Sequence, residues 1–348
     1  MARRILWASL ALAPATILVD LLTGAGEVAL FVLAAVALVP LAWLIGEATE
    51  HAAEHTGPGI GGFLNASFGN APELIIALFA VADDLPQVVR GSLAGSVISN
   101  LLLVFGVTQL VGPTKEIDRR SLFVQLRLVA VAVVLLVPAA WVGYTGGPER
   151  HTAVLVSIPI AVLLLGLYLA VTGRNLQKHR DLERDDGRQP SAEAWSLPSA
   201  LVTLAVATAL TAWVSEILVH SLQAFAEAVG ATEFFIAAVI VAIVGNAAEH
   251  GGAVVIARGG KMKLASEIAI SSSAQVALLV APAVMLLSLL FSHELPLSFR
   301  WEELVALAGA VALAAATIWD GRTTRMKGAV LLVAYAGVVT GFWFAGNR

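Results

Sequence analysis

Gly69-Asn70-Ala71-Pro72-Glu73 and Gly245-Asn246-Ala247-Ala248-Glu249 are the two stretches on which the fold of this chain turns. They stand 176 residues apart. The same offset carries Gly95-Ser96 onto Ser271-Ser272, Ser99 onto Gln275, and Leu102-Leu103-Val104 onto Leu278-Leu279-Val280. A matched motif, a matched spacing and a matched downstream stretch mark an internal repeat. Both glutamates lie in apolar surroundings: Leu74 to Phe79 follows Glu73, and Val239 to Val244 precedes the second motif. A carboxylate at the centre of a bilayer costs at least ~2.5 kcal/mol. Two of them at equivalent repeat positions point to function rather than accident.

The surroundings are those of a membrane protein. Of 348 residues, 58% are hydrophobic and 13% charged, with a mean hydropathy of +0.85. A soluble domain carries about 25% charged residues. A net charge of −4 argues against a nucleic-acid partner, and the absence of cysteine excludes disulfides and thiolate metal sites. Runs of about 20 apolar residues cross a hydrocarbon core as helices. Eleven such spans are expected: 5–23, 27–46, 59–81, 87–111, 122–142, 152–173, 197–220, 233–257, 264–291, 303–319 and 327–345. Arg3-Arg4 before an apolar run has the look of a signal peptide, but the topology uses this stretch as a first span.

Basic residues test the count. With the spans alternating from an N-terminus on side A, sixteen of the 21 Lys and Arg fall on side A and four (Arg90, Arg150, Arg300 and Arg348) on side B. Arg127, just inside the fifth span, reaches side A. Short basic loops stay cytoplasmic, so side A is the cytoplasm and the C-terminus lies opposite; in a prokaryote the membrane would be the plasma membrane. The third span runs from A to B and the eighth from B to A, so the repeats are inverted, a common transporter plan with its site near the midplane. The expected architecture is an all-α integral membrane protein: an N-terminal helix (1–26), a first five-helix repeat (27–173), a cytoplasmic linker (174–196) and a second, inverted five-helix repeat (197–348). The mixed charges from Arg174 to Glu193 suit a solvated tether or short surface helix.

The motif neighbours suit a hard cation. Ca2+ takes about 6–8 oxygen ligands from carboxylates, amide carbonyls, backbone and water. Asn70 and Asn246 precede their glutamates by three residues, on the same helical face. Gly69 and Gly245 let backbones approach or open the helix, and Pro72 removes an N–H beside Glu73. Ser96, Ser99, Ser272 and Gln275 can add oxygens from the fourth and ninth spans, although membrane serines often serve only helix packing. Two facing carboxylates cannot easily both ionise in an apolar site. Metal and protons each relieve that strain, and they exclude one another, which is the logic of a cation/proton antiporter. His250 has no ionisable counterpart, since Leu74 stands in the first repeat; its ordinary pKa of about 6.5 suits either a proton relay or a neutral group in a helix interface. Glu47, Glu50 and Glu54, on one face at the end of the second span and flanked by His51 and His55, form either a cytoplasmic cation-collecting mouth or an ordinary solvated helix end. Glu216 mirrors them on side B.

These residues resemble the Ca2+/H+ exchangers of the Ca2+/cation antiporter superfamily. The resemblance rests on Gly61 to Ile75 with its Gly-Asn-Ala-Pro-Glu, on Gly245 to His250, on Gly95-Ser-Val-Ile-Ser-Asn100 and on Ser271-Ser-Ser-Ala-Gln275, and it spans nearly the whole chain. It implies an eleven-span fold, metal held between Glu73 and Glu249, and proton-driven export of cytosolic Ca2+ as the transported ion, with no prosthetic group. The sodium/calcium branch usually carries Gly-Thr-Ser-x-Pro-Glu at these places; Gly-Asn-Ala favours protons over sodium. The family's acidic helix between its halves is replaced here by the balanced segment 174–193. Two rival readings stand. Mn2+, Na+ or K+ replaces Ca2+, since carboxylate and amide oxygens suit several ions. Alternatively, His51-Ala-Ala-Glu54-His55 matches the H-x-x-E-H pattern of a metalloprotease class.

The topology yields a direct test. A cysteine replacing Lys115 is expected to be shielded from an impermeant thiol reagent in intact cells, and one replacing Asn347 to be labelled; the opposite pattern overturns the assignment.

Overall fold

The computed structural model describes residues 2–146, 151–183 and 195–345. Among them there is no strand, only an isolated bridge between Glu116 and Arg322. The helices are α1 (Ala2–Ser9), α2 (Leu12–Thr23), α3 (Glu27–Phe68), α4 (Ala71–Ala82), α5 (Pro86–Val111), α6 (Arg119–Gly146), α7 (His151–Glu183), α8 (Leu197–Val229), α9 (Glu233–Gly245), α10 (Ala247–Arg258), α11 (Met262–Ser288), α12 (Trp301–Ile318) and α13 (Arg325–Ala345). Nine spans among the described residues are long and apolar enough to cross a membrane, and α9 with α10, bent by 59° at Asn246, makes a tenth. The linker expected at 174–196 begins as a continuation of α7 to Glu183; residues 184–194 lie outside the described residues.

The second span does not end at residue 46 as the sequence suggested. Helical hydrogen bonding runs from Glu27 to Phe68. Ala48, Thr49 and Ala52 present a fully buried small face, and no breaker intervenes before Gly57-Pro58-Gly59. The axis nevertheless folds back. A Cβ on Gly61 would fall 2.8 Å from the Ala53 Cβ, whereas eight residues of straight helix cover about 12 Å. Phe68 likewise packs on the cluster of Leu44, Ile45, Ala48, Leu204 and Ala207. The expected third span, 59–81, is therefore made of the returning end of α3 and the twelve-residue α4, with Gly69-Asn70 between them.

The 176-residue offset governs local geometry as well. It carries α4 onto α10 and the start of α5 onto the start of α11. Asn70 (φ −100°, ψ 15°) and Asn246 (φ −92°, ψ 10°) break their spans with nearly the same backbone. π-helical turns interrupt α5 at Ser99–Val104 and α11 at Val276–Val280, places one residue apart under the offset. A third lies in α9 at Ala237–Val241. π turns recur at functional sites because they free backbone groups inside a helix.

α3 lies along α8, with Phe31 stacked on Phe225 at 4.2 Å. The innermost seam is α5 against α9. A Cβ on Gly91 would lie 2.8 Å from the Phe234 carbonyl oxygen, and one on Gly95 would overlap the carbonyl of Ala238. Glycine is thus required at both positions by backbone approach, as small residues are at membrane helix contacts. Arg90, counted above with the side B loops, is only 2% exposed, and its charge opposes that of Glu303 on α12. On the other face, the loops after α5 and α12 are tied by Ile117 N–H to the Gly321 carbonyl and Thr323 N–H to the Lys115 carbonyl, both 2.9 Å.

Gly95→Val is expected to cost about 3 kcal/mol or more, since overpacking a filled core costs ~1–3 kcal/mol and here the obstacle is backbone. Thermal denaturation in detergent measures it; an unchanged melting temperature contradicts the seam.

Candidate cation site

Each broken span delivers one glutamate at the first turn after its break. Glu73 lies in the first turn of α4, behind Pro72, and Glu249 in the first turn of α10. Both carboxylates therefore sit at helix N-termini, where backbone N–H groups and the helix dipole favour negative charge. The two halves interlock here. A Cβ on Gly245 would lie 3.3 Å from the Glu73 Cγ and 3.8 Å from its Oε1, so the first glutamate rests on the glycine of the second motif.

The two carboxylates are held differently. Glu73 is 7% exposed, and neither of its oxygens has a hydrogen-bond partner among the described residues. Glu249 accepts a hydrogen bond from the Ser272 hydroxyl on α11. Asn70 donates to Gln275 Oε1 at 2.8 Å, joining α4's break to α11. Asn246 donates to Ser96 Oγ at 2.9 Å and to the Ala242 carbonyl at 2.8 Å, joining α10's break to α5. The sequence-expected residues Glu73, Glu249, Asn70, Asn246, Gly245, Ser96, Ser272 and Gln275 are thus brought together, and Gly69 forms the turn ahead of Asn70. Ser99 is the exception. Its hydroxyl donates to the Ser96 carbonyl of its own helix at 3.2 Å rather than repeating the role of Gln275.

One residue at the centre of the site went unassigned by the sequence. Asn100, fully buried, donates to Asn246 Oδ1 at 3.3 Å and to Ser272 Oγ at 3.1 Å. Its Oδ1 lies 3.1 Å from His250 Nε2. Its counterpart under the offset is Val276, so repeat matching passes over it.

The outlying acids lie apart from this centre. His51 stands 3.9 Å from both Glu47 and Glu54 and stacks on Trp195 at 4.5 Å, while His55 Nε2 lies 2.6 Å from the Trp195 carbonyl. Glu50 is exposed. This cluster lies on a continuous helix, not at a helix end. Its histidines meet carboxylates and a tryptophan backbone, and no group of three or more potential metal-binding side chains occurs among the described residues. Glu216 shares a cavity of 260 Å3 with Asp20, Glu27 and His220.

The family model for the sodium/calcium exchanger protein matches residues 26–176 and again 199–344, one match for each motif. The chain belongs to the sodium/calcium exchanger family. Within it, the chain is 39% identical over 325 residues to a Bacillus subtilis protein named Ca(2+)/H(+) antiporter ChaA, covering 90% of this chain and 92% of that one. The structure of native YfkE, 35% identical, superposes with a TM-score of 0.83 over 98% of this chain and 99% of its own. The crystal structure of the H+/Ca2+ exchanger CAX, at 15% identity and a TM-score of 0.75 over 99% of this chain and 92% of its own, shares the fold. This exchanger-family protein is a multi-pass membrane transporter, not an enzyme, which removes the protease reading of His51, Glu54 and His55.

Gly245→Val is expected to push the Glu73 carboxylate out of place. The readout is loss of the thermal stabilisation that added Ca2+ gives the parent protein; full retention contradicts the contact.

Proposed function

We propose that the chain exchanges Ca2+ for H+ across its membrane and exports cytosolic Ca2+ by alternating access at a site formed by Glu73 and Glu249. The observation that carries this reading is the Glu73 carboxylate, buried at a helix break, resting on the opposite motif and given no hydrogen bond by any other side chain among the described residues. A buried carboxylate in that position calls for a cation or a proton. Asn70, Asn246, Ser96, Ser272 and Gln275, hydrogen-bonded across the two breaks, carry neutral oxygens of the kind a hard cation takes. The names borne by the similar proteins, antiporters of Ca2+ and H+, fit the same choice, as does Gly-Asn-Ala in both motifs.

The mechanism follows from exclusion. With both carboxylates ionised and no cation present, two like charges stand in low dielectric, the costliest state of the cycle. The carrier therefore crosses loaded with metal or with protons. Stoichiometric coupling comes from that single constraint. His250, next to Glu249, relays protons to it. Residues 27–173 and 197–348 act as the two inverted halves, with the N-terminus cytoplasmic and the C-terminus on the other side of the membrane, the plasma membrane in a prokaryote. Glu47, Glu50 and Glu54 gather cations on the cytoplasmic face, and Glu216 is their external counterpart.

The test is ΔpH-driven uptake in proteoliposomes, run with Ca2+, Mn2+, Na+ and K+. Ca2+ uptake by the parent protein, abolished in both Glu73→Gln and Glu249→Gln while each still folds, is the expected result. Near-normal uptake by either variant sinks the two-carboxylate site, and preference for another cation sinks the Ca2+ assignment.

A further inference from the structure

Asn246 breaks α9 from α10, and its backbone N–H points to the Val244 carbonyl rather than back to Ala242. The Ala242 carbonyl is instead taken by the Asn246 side chain. A carbonyl only accepts, so Asn246 presents its NH2 to it and turns its own oxygen to Asn100. Asn100 must then present its NH2 to that oxygen and its Oδ1 to His250. An amide oxygen also only accepts, so His250 Nε2 carries the hydrogen. Ser272, receiving the second N–H of Asn100, is left to donate its hydroxyl proton to Glu249. One backbone carbonyl thereby fixes the direction of every hydrogen bond from α9 to the carboxylate.

From this chain we infer that Asn100 is the positioning residue of the Glu249 half-site: it fixes the Ser272 hydroxyl on the Glu249 carboxylate and the Asn246 oxygen away from it, from a helix of the opposite repeat. The role rests on the exchange function proposed above. It has no counterpart at Glu73, because Val276 occupies the equivalent place and cannot hydrogen-bond. The half-sites are thus unequal by construction. Glu249 is held by the Ser272 hydroxyl at the end of a string of three neutral side chains, whereas no side chain hydrogen-bonds Glu73 among the described residues, and it rests on Gly245. Asn100 touches neither carboxylate in the structure's hydrogen bonds, so its effect on Glu249 runs through Ser272, the partner that bonds that carboxylate.

That indirectness makes the inference testable by a double-mutant cycle, in which residues acting through one another fail to add. Initial rates of ΔpH-driven Ca2+ uptake are measured in proteoliposomes for the parent, Asn100→Leu, Ser272→Ala and the pair. Asn100→Leu is expected to raise the KM for Ca2+ about tenfold, the scale of a hydrogen bond to a charged group, with the maximal rate within about twofold of the parent's. In the Ser272→Ala background the same change is expected to raise KM by less than about twofold, since its route to Glu249 is already gone. A purely structural role for Asn100 predicts independent, multiplying losses, and that result overturns the inference, as does an unchanged KM in Asn100→Leu. Should Asn100→Leu fail to accumulate, the same cycle with Asn100→Ser, which keeps a single hydroxyl, decides the matter by the same criterion. Absence of Ca2+ uptake by the parent protein would sink the exchange reading itself, whereas parental uptake with multiplying losses sinks only the role of Asn100.

Discussion

Within a bilayer no water is at hand to bond a free N–H or C=O, so every break in a spanning helix must be closed by protein groups. The site depends on how this chain meets that constraint. Breaking the third and eighth spans at Asn70 and Asn246 exposes helix N-termini on which Glu73 and Glu249 sit, and it orphans carbonyls. At the second break the orphan on Ala242 is taken by the asparagine that caused the break. The use of Asn rather than Gly at this position then has a physical reason. A glycine would break the helix equally well and leave the carbonyl bare.

The same carbonyl explains why a neutral network can organise a charged site. Asparagine, serine and neutral histidine each carry donors and acceptors, so in isolation their bonds could run either way. Anchoring one end on a group that only accepts removes that freedom, and the string ends in a donor aimed at a carboxylate, a bond stronger than its neutral neighbours. Low dielectric strengthens each bond and makes a misdirected one costly. The polar core between α5, α10 and α11 is thus a device for holding one oxygen pair still. At Glu73 the surroundings are tight but undirected, and nothing comparable sets the carboxylate.

Much of this was legible in the sequence. The paired motifs and their offset carried the all-helical membrane fold and the residues that converge at the site, because a repeat must place equivalent residues equivalently. Four features were not legible. The charges Glu47, Glu50 and Glu54 looked like a solvated helix end, while the buried face of Ala48, Thr49 and Ala52 between them continued the helix. Asn100 was passed over because its counterpart is Val276, and matching rewards symmetry where the chemistry had diverged. Ser99 was favoured for the opposite reason: it matches Gln275 in position, but its shorter side chain reaches only its own helix. π turns leave no breaker in the sequence, so the irregularities in α5, α9 and α11 could not be foreseen.

The α5–α9 seam bears on the alternating access proposed above. Gly95 lies on the carbonyl of Ala238 so closely that any side chain there would collide with backbone. Under the 176-residue offset, Gly95 corresponds to Ser271, so the equivalent seam in the other half cannot rely on glycine in its α11 member. The partner position answers this: Ala238 corresponds to Gly62. By that offset the sequence sets Gly62 opposite Ser271 in the repeat order, where α5 and α9 bring Gly95 against Ala238. If the exchanger opens to one side by loosening one seam and tightening its inverted counterpart, both must be able to close to backbone contact. Each of these position pairs holds one glycine and one small residue in the sequence, the composition that lets membrane helices approach closely.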